Sequence, residues 1–264
     1  MAAAGLKNLR IVLVEPAGGL NVGAIARVMK NFGLTQLVLV KPHCEPLGAE
    51  ARQMAVHARD VLEQAQQVPT LSAALVGCQR AVATTARSRD FEAPLESPDT
   101  TLPWLLAPST AAALIFGPED RGLSNQELTQ AQRFLKIPSD PGYPVLNLAQ
   151  AVAVCCYELS RLVSLPAETG QQPMQSEPNA LRTSGSSDKQ SASLDVLEGY
   201  YHHLESVLLQ IGYLYPHTAT SRMRKFRRLL QRAEPSADEV ALLRGILRQV
   251  EWAVSHHKSG SPND

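Results

Sequence analysis

Arg27 lies one helical turn after Gly23 and one turn before Asn31, on the polar side of a helix that begins just beyond the first strand. A guanidinium there can pair with a neighbouring acid, as surface arginines do, or hold a permanent positive charge close to the end of that strand. Asn147 stands near the start of an apolar helix, where its amide can cap free N–H groups or meet a ligand. The loop before it, PSDPGYP from Pro138 to Pro144, is stiffened by prolines, and Gly142 allows close backbone approach. Further on, SRMRKFRRLLQR carries Arg222, Arg224, Lys225, Arg227, Arg228 and Arg232 with no acid among them. Such a run is either a solvated face or a surface that neutralises several phosphates. Other chemistries lack their residues. GGLNVG has neither the G-x-G-x-x-G spacing nor the Walker lysine, and no G-x-S-x-G elbow is present. His202-His203 and His256-His257 are adjacent pairs that diverge on a helix, which argues against a metal site.

The elements that would position these residues alternate. Leu9–Glu15 is a nearly continuous β-branched run, as expected of a strand covered on both faces. A helix follows over Asn21–Phe32 with Val22, Ile25, Met29 and Phe32 inward, closed by Gly33. Strands are expected at Gln36–Val40, Arg80–Thr85, Ala111–Phe116 and Phe134–Ile137, helical segments over Leu47–Gln67 and Thr70–Cys78, and a turn near Trp104. Ser124 with Glu127 reads as a capping box, and an apolar helix runs on from Val145. Five or six apolar strands alternating with helices give an α/β domain with a mainly parallel sheet. Ligands in such sheets bind where loops leave the carboxyl ends of the strands. Thr84-Thr85-Ala86, Gly117-Pro118-Glu119 and Ile137–Asn147 are such loops.

Residues 166–193 hold almost no large apolar side chain and read as a flexible linker between a domain over 1–165 and a helical domain over 194–254, with a disordered tail over 255–264. With 264 residues and 44 % apolar content the chain can bury a sizeable core. Lys+Arg and Asp+Glu are 25 each, so any basic surface must be local. Cys44, Cys78, Cys155 and Cys156 show no CxxC or zinc spacing and read as free thiols of a reducing cytoplasm. No window reaches the roughly 18 apolar residues of a membrane span, so the expectation is a soluble, untargeted, cytoplasmic protein.

The segments N-x-G-A-x-x-R (Asn21–Arg27), F-G-P-E-D-R-G-L-S-N-x-E-L (Phe116–Leu128) and I-P-S-D-P-G-Y-P-V-L-N-L-A-x-A-V (Ile137–Val152) together resemble the three motifs of the SPOUT RNA ribose methyltransferases. Within these the chain looks most like the TrmJ type, which methylates a ribose 2′-hydroxyl in the tRNA anticodon loop. The resemblance covers roughly residues 7 to 163 and extends more weakly into the C-terminal part.

That resemblance implies a parallel sheet with a deep C-terminal trefoil knot over about Ala81–Val163, and S-adenosylmethionine as cofactor. It implies Thr84, Thr85, Ala86, Gly117, Ile137, Pro144, Val145 and Leu146 as the cofactor site, and Arg27, Asn21, Glu119 and Asn147 as catalytic residues. The target would be nucleotide 32 of tRNA, and the protein a homodimer whose active site is completed across the interface. Many members carry a small hydroxyl residue where this chain has Val145, so contacts there would come from the backbone. Arg87, Arg89 and Arg121, beside the cofactor loops, would grip RNA, with Arg222, Arg224, Lys225, Arg227 and Arg228 anchoring the rest. The competing readings are methylation of another RNA such as rRNA, an RNA-binding protein that has lost catalysis, and a dehydrogenase, which the missing dinucleotide fingerprint opposes.

Overall fold

The computed structural model describes residues 4–86, 94–164 and 190–259. Arg87, Arg89, most of the linker and residues 260–264 of the expected tail lie outside the described residues. In chain order the first domain runs α1 (Ala4–Lys7), β1 (Leu9–Val14), α2 (Gly19–Asn31), β2 (Gln36–Val40), α3 (Ala49–Ala55), α4 (Arg59–Glu63), β3 (Gln66–Val68), α5 (Leu71–Ala74) and β4 (Arg80–Thr84). It continues with β5 (Leu95–Glu96), α6 (Pro98–Leu105), β6 (Ala112–Phe116), α7 (Asn125–Leu128), β7 (Arg133–Leu135) and α8 (Leu148–Ser164). The C-terminal domain is α9 (Leu194–Gln210), α10 (Pro216–Ala233) and α11 (Ala237–Ser259).

The strands form one sheet in the order β3-β2-β1-β6-β4-β7-β5, and every pairing is parallel. Period-2 alternation explains the continuous apolar runs. Leu9, Ile11 and Leu13 of β1 face one core layer, while Val12 and Val14 face the other. In β6 Leu114 and Phe116 share the first layer, and Ala113 and Ile115 the second. The two outermost strands, β3 and β5, are short and carry half-exposed or exposed residues. Neither contains an apolar run, so no strand was expected at either, and short edges are how sheets limit unwanted pairing. The segment over Leu47–Gln67 is two short helices and β3 rather than one helical stretch, and the turn at Trp104 is the two-turn helix α6.

Helices α2 and α8 pack together over the first layer, with Val22, Ile25 and Met29 meeting Val152, Cys155 and Leu159 in one cluster. Gly23 explains itself by packing, since a Cβ there would lie 2.2 Å from the Ala51 carbonyl oxygen. Only a glycine lets α2 lie that close to α3. Cys78, Cys155 and Cys156 are buried and all four cysteines are free. Burial pushes the Cys156 thiol up to about 12, and Cys155 further, so neither is a nucleophile.

After residue 164 the described residues begin again at Gln190. Gln190 donates to the Ser109 carbonyl at 2.9 Å, Leu194 N–H to Cys78 at 2.7 Å, and Gly77 N–H to the Asp195 carboxylate at 2.9 Å. These contacts dock the helical domain on the second face of the sheet. Leu197, Tyr201, Leu204, Met223, Val240 and Leu247 form its core. Ser236 and Glu239 make the expected reciprocal cap of α11, at 2.7 and 3.4 Å. That helix runs over Ala237–Ser259. No helix among the described residues is long and apolar enough to cross a membrane.

Candidate active site

Strands β6, β4 and β7 are neighbours in a parallel sheet, so their carboxyl ends fall on one edge. The three loops that leave them therefore converge. They enclose a cavity of about 180 Å³ lined by all eight residues expected at a cofactor site: Thr84, Thr85, Ala86, Gly117, Ile137, Pro144, Val145 and Leu146. Phe116, Leu135 and Ala151 complete its apolar walls and Asp120 adds a carboxylate. None of these was expected at the site; the strand carrying Leu135, read as Phe134–Ile137, ends at Leu135.

Several polar groups of the lining are held within the protein. The Thr84 hydroxyl donates to the Ile115 carbonyl at 3.0 Å, inside the sheet, and Thr85 N–H donates to Leu135 at 2.9 Å. The proline-rich loop is closed by Ser139, whose hydroxyl donates to the Pro144 carbonyl at 3.0 Å, and by Asp140, which accepts from Gly142 N–H at 2.7 Å. At Gly117 a Cβ would stand 2.4 Å from Leu123 N and 2.5 Å from the Gly122 carbonyl carbon. The loop folds back on itself there, and the space it would need belongs to backbone.

Three distant segments meet beside this cavity. Because β1 pairs with β6, the loop after β1 lies against the loop after β6. Glu119 accepts from Asn21 Nδ2 at 2.8 Å and from Ala17 N–H at 3.2 Å, while Asn21 Oδ1 accepts from Asn147 Nδ2 at 3.2 Å. Asn147 Oδ1 in turn accepts from Ala149 N–H at 2.9 Å. The helix α8 therefore starts at Leu148 and not at Val145, because Asn147 caps it. One asparagine thus performs both roles open to it, cap and network member.

Residues 8–157 match the SpoU rRNA Methylase family, and residues 195–260 match the C-terminal domain of the tRNA methyltransferase TrmJ. The chain belongs to the SpoU methylase family. The tRNA (cytidine/uridine-2′-O-)-methyltransferase TrmJ of Escherichia coli K12 is 40 % identical over 257 residues, spanning 96 % of this chain and 99 % of that one. Its counterpart from Cronobacter sakazakii is 39 % identical over 248 residues, spanning 93 % and 97 %. The crystal structure of TrmJ from Z. mobilis ZM4 superposes with a TM-score of 0.77 at 31 % identity, covering 92 % of this chain and 98 % of that one.

In this SpoU family member the arginines expected to act on RNA divide. Arg27 is exposed, lies outside the cavity lining, and makes no ion pair among the described residues. Arg121 is committed to protein: it pairs with Glu15 at 2.7 Å and Glu127 at 2.9 Å, and the two carboxylates hold its proton more tightly than usual. Its donors tie the Gly117–Leu123 loop to β1 and α7 and are not free for RNA. Glu15, missed in the sequence, adopts φ +47 at the end of β1, a conformation rare outside glycine. Arg227 is also spent, donating through both terminal nitrogens to Glu198, at 2.7 Å for the second, and lying 4.4 Å from the Tyr201 ring centroid. Arg222 donates to the Tyr213 carbonyl at 2.9 Å, Arg228 is half-buried, and Arg224 and Lys225 are exposed. His202 and His203 contact different carboxylates, Glu198 and Glu251.

Proposed function

We propose that this chain transfers a methyl group from S-adenosylmethionine to a ribose 2′-hydroxyl of tRNA, at nucleotide 32 of the anticodon loop, acting as a cytoplasmic homodimer. The observation that carries the reading is the convergence of three sequence-distant loops on one cavity, with Glu119, Asn21 and Asn147 joined beside it. Membership of the SpoU family and the near full-length similarity to TrmJ enzymes support it. The trefoil knot over about Ala81–Val163 belongs to the same reading.

The cavity suits the cofactor in kind. Apolar walls from Ile137, Val145 and Leu146 can take an adenine ring, and the exposed backbone of the Gly117 and Pro144 loops can hydrogen-bond its edges. At about 180 Å³ it is smaller than the roughly 300–1,000 Å³ of pockets that enclose a drug-sized ligand, so binding widens it or leaves one end outside. The bound cofactor supplies an electrophilic sulfonium methyl.

The protein's task is to make the hydroxyl a nucleophile and to aim it. A guanidinium is a permanent cation, so Arg27 does not act as a general base. Its guanidinium holds the phosphate next to the target ribose and stabilises the charge developing on the 2′ oxygen, while that phosphate accepts the proton. Glu119 fixes Asn21, and Asn21 fixes Asn147, which keeps the entrance to the cavity in one geometry. Since Arg27 stands outside the cavity of its own chain, it serves the site of the partner copy. Exposed Leu20, Tyr143, Val145 and Tyr157, on α2, α8 and the adjoining loop, offer the apolar surface that such a dimer would cover.

The test is transfer of labelled methyl to unmodified tRNA transcripts, with the product mapped by 2′-O-methyl-sensitive cleavage. Label at nucleotide 32, abolished by Arg27→Ala with cofactor binding retained, is the expected result. Label on rRNA but not tRNA overturns the substrate, and loss of cofactor binding in Arg27→Ala overturns the role given to that residue.

A further inference from the structure

The Gly117–Leu123 loop carries two parts of the site at once: Gly117 lines the cavity, and Glu119 anchors Asn21. Its own backbone closes through Gly122 N–H, which donates to the Pro118 carbonyl at 2.9 Å, with Gly122 at φ +66. Arg121 then fastens the loop to elements on either side. Its Nη2 donates at 2.7 Å to Glu15, just after β1, and at 3.1 Å to Glu127 of α7. Its Nη1 donates to the other Glu127 oxygen at 2.9 Å and to the Gly122 carbonyl at 3.0 Å. Both hydrogens of each terminal nitrogen are therefore spent, and a guanidinium fork held in this way has one orientation. Glu127 also accepts from Ser124 N–H at 2.6 Å, so the clamp is continuous with the cap of α7.

Glu15 reaches Arg121 only by leaving the strand conformation. Leu13 faces the first core layer and Val14 the second, so alternation along β1 would send the next side chain to the first. Its partners belong to a loop and a helix whose Leu123 and Leu128 pack in the second layer. The left-handed backbone at Glu15, φ +47, breaks the alternation. A residue with a Cβ holds that conformation only where its surroundings impose it, and the ion pair with Arg121 is such a restraint. The loop after β1 is thus tied to the loop after β6 twice, from Glu15 to Arg121 and from Ala17 and Asn21 to Glu119. Glu119 and Arg121 are two positions apart, at most roughly 7 Å along the chain. A loop that slips at one tie slips at the other.

We propose that Glu15, Arg121 and Glu127 are positioning residues of the methyl transfer, which hold the Gly117–Leu123 loop where Gly117 shapes the cofactor cavity and Glu119 fixes Asn21. The proposal rests on the S-adenosylmethionine-dependent reading above and adds to it residues that act through the loop instead of on cofactor or RNA.

The test compares two ligands by calorimetry: S-adenosylhomocysteine, and 5′-methylthioadenosine, which lacks the amino-acid carboxylate. A displaced loop spoils the cavity for both, so Arg121→Met should lose about tenfold in affinity for each and about 100-fold in kcat on tRNA. Arg121→Lys reaches one carboxylate and should recover part of both losses. Glu15→Gln, which keeps the side-chain shape, should move both in the same direction by less. Because Arg121 acts on the reaction through Glu119, its kcat loss should fall below about tenfold in a Glu119→Gln background; support of the fold alone gives losses that multiply. Weakened binding of S-adenosylhomocysteine alone would make Arg121 a direct ligand of the carboxylate and overturn the proposal. So would losses that multiply, or wild-type affinity and kcat in Glu15→Gln and a folded Arg121→Met. A wild-type chain that binds neither ligand overturns the functional reading itself.

Discussion

Gly117→Ala places a methyl group where the Gly117–Leu123 loop has none to spare. The added Cβ would stand 2.4 Å from Leu123 N and 2.5 Å from the Gly122 carbonyl carbon, whereas ordinary contact begins at 3.4 Å. Backbone must therefore retreat by about 1 Å. The retreating segment lines the cavity proposed for the cofactor and carries Glu119, the anchor of Asn21, so both the cavity and the network move with it. Overpacking of this kind costs about 1–3 kcal/mol, and for a domain of this size the melting temperature should fall by roughly 2–12 °C. A 1 Å misplacement can cost about 10²-fold in rate. We expect Gly117→Ala to bind S-adenosylmethionine at least about tenfold more weakly by titration calorimetry, and to transfer methyl about 100-fold more slowly. Gly245→Ala is the control: its Cβ meets nothing within 4 Å on the exposed side of α11, and the change should stabilise by about 0.5–1 kcal/mol. A Gly117→Ala protein with wild-type cofactor affinity and more than a tenth of the wild-type rate would refute the argument.

Two further outcomes concern the ion pairs that the structure turns inward. Arg227→Met removes two charged hydrogen bonds to Glu198 and the contact with Tyr201, and should cost about 2–3 kcal/mol by chemical denaturation, against less than about 0.5 kcal/mol for the exposed Arg224→Met. Equal effects would show that the pair is no more than a surface contact. For Glu127 and Glu198 burial opposes the charge, but hydrogen bonds from Arg121 and Ser124, and from Arg227, outweigh it and hold both carboxyls below their ordinary value of 4.5. Folded chains then bind fewer protons than unfolded ones, so this contribution is complete above about pH 4.5 and is lost as pH falls through the folded values. Melting temperature should drop more steeply between pH 5 and pH 3 in the wild type than in Arg227→Met, and parallel curves would exclude Glu198 as a source of the acid sensitivity.

The mainly parallel sheet, its apolar strands along the chain, the three loops and the basic helix were all legible in the chain, because each depends on local pattern: uninterrupted β-branched runs, a capping box, a cluster of prolines, a row of arginines. All eight residues that the family resemblance implies at the cofactor site do line one cavity, because a parallel sheet puts the three loops that carry them on one edge. Tertiary structure alone decided which charges are free. Nothing local distinguishes Arg227 from Arg224, yet one faces Glu198 and Tyr201 on α9 and the other faces solvent. Nothing local pairs Arg121 with Glu15, which lies 106 residues away in sequence, or sets Trp104 against Glu234. An ion pair depends on where two elements pack, and side-chain type and helical period carry no record of the element opposite.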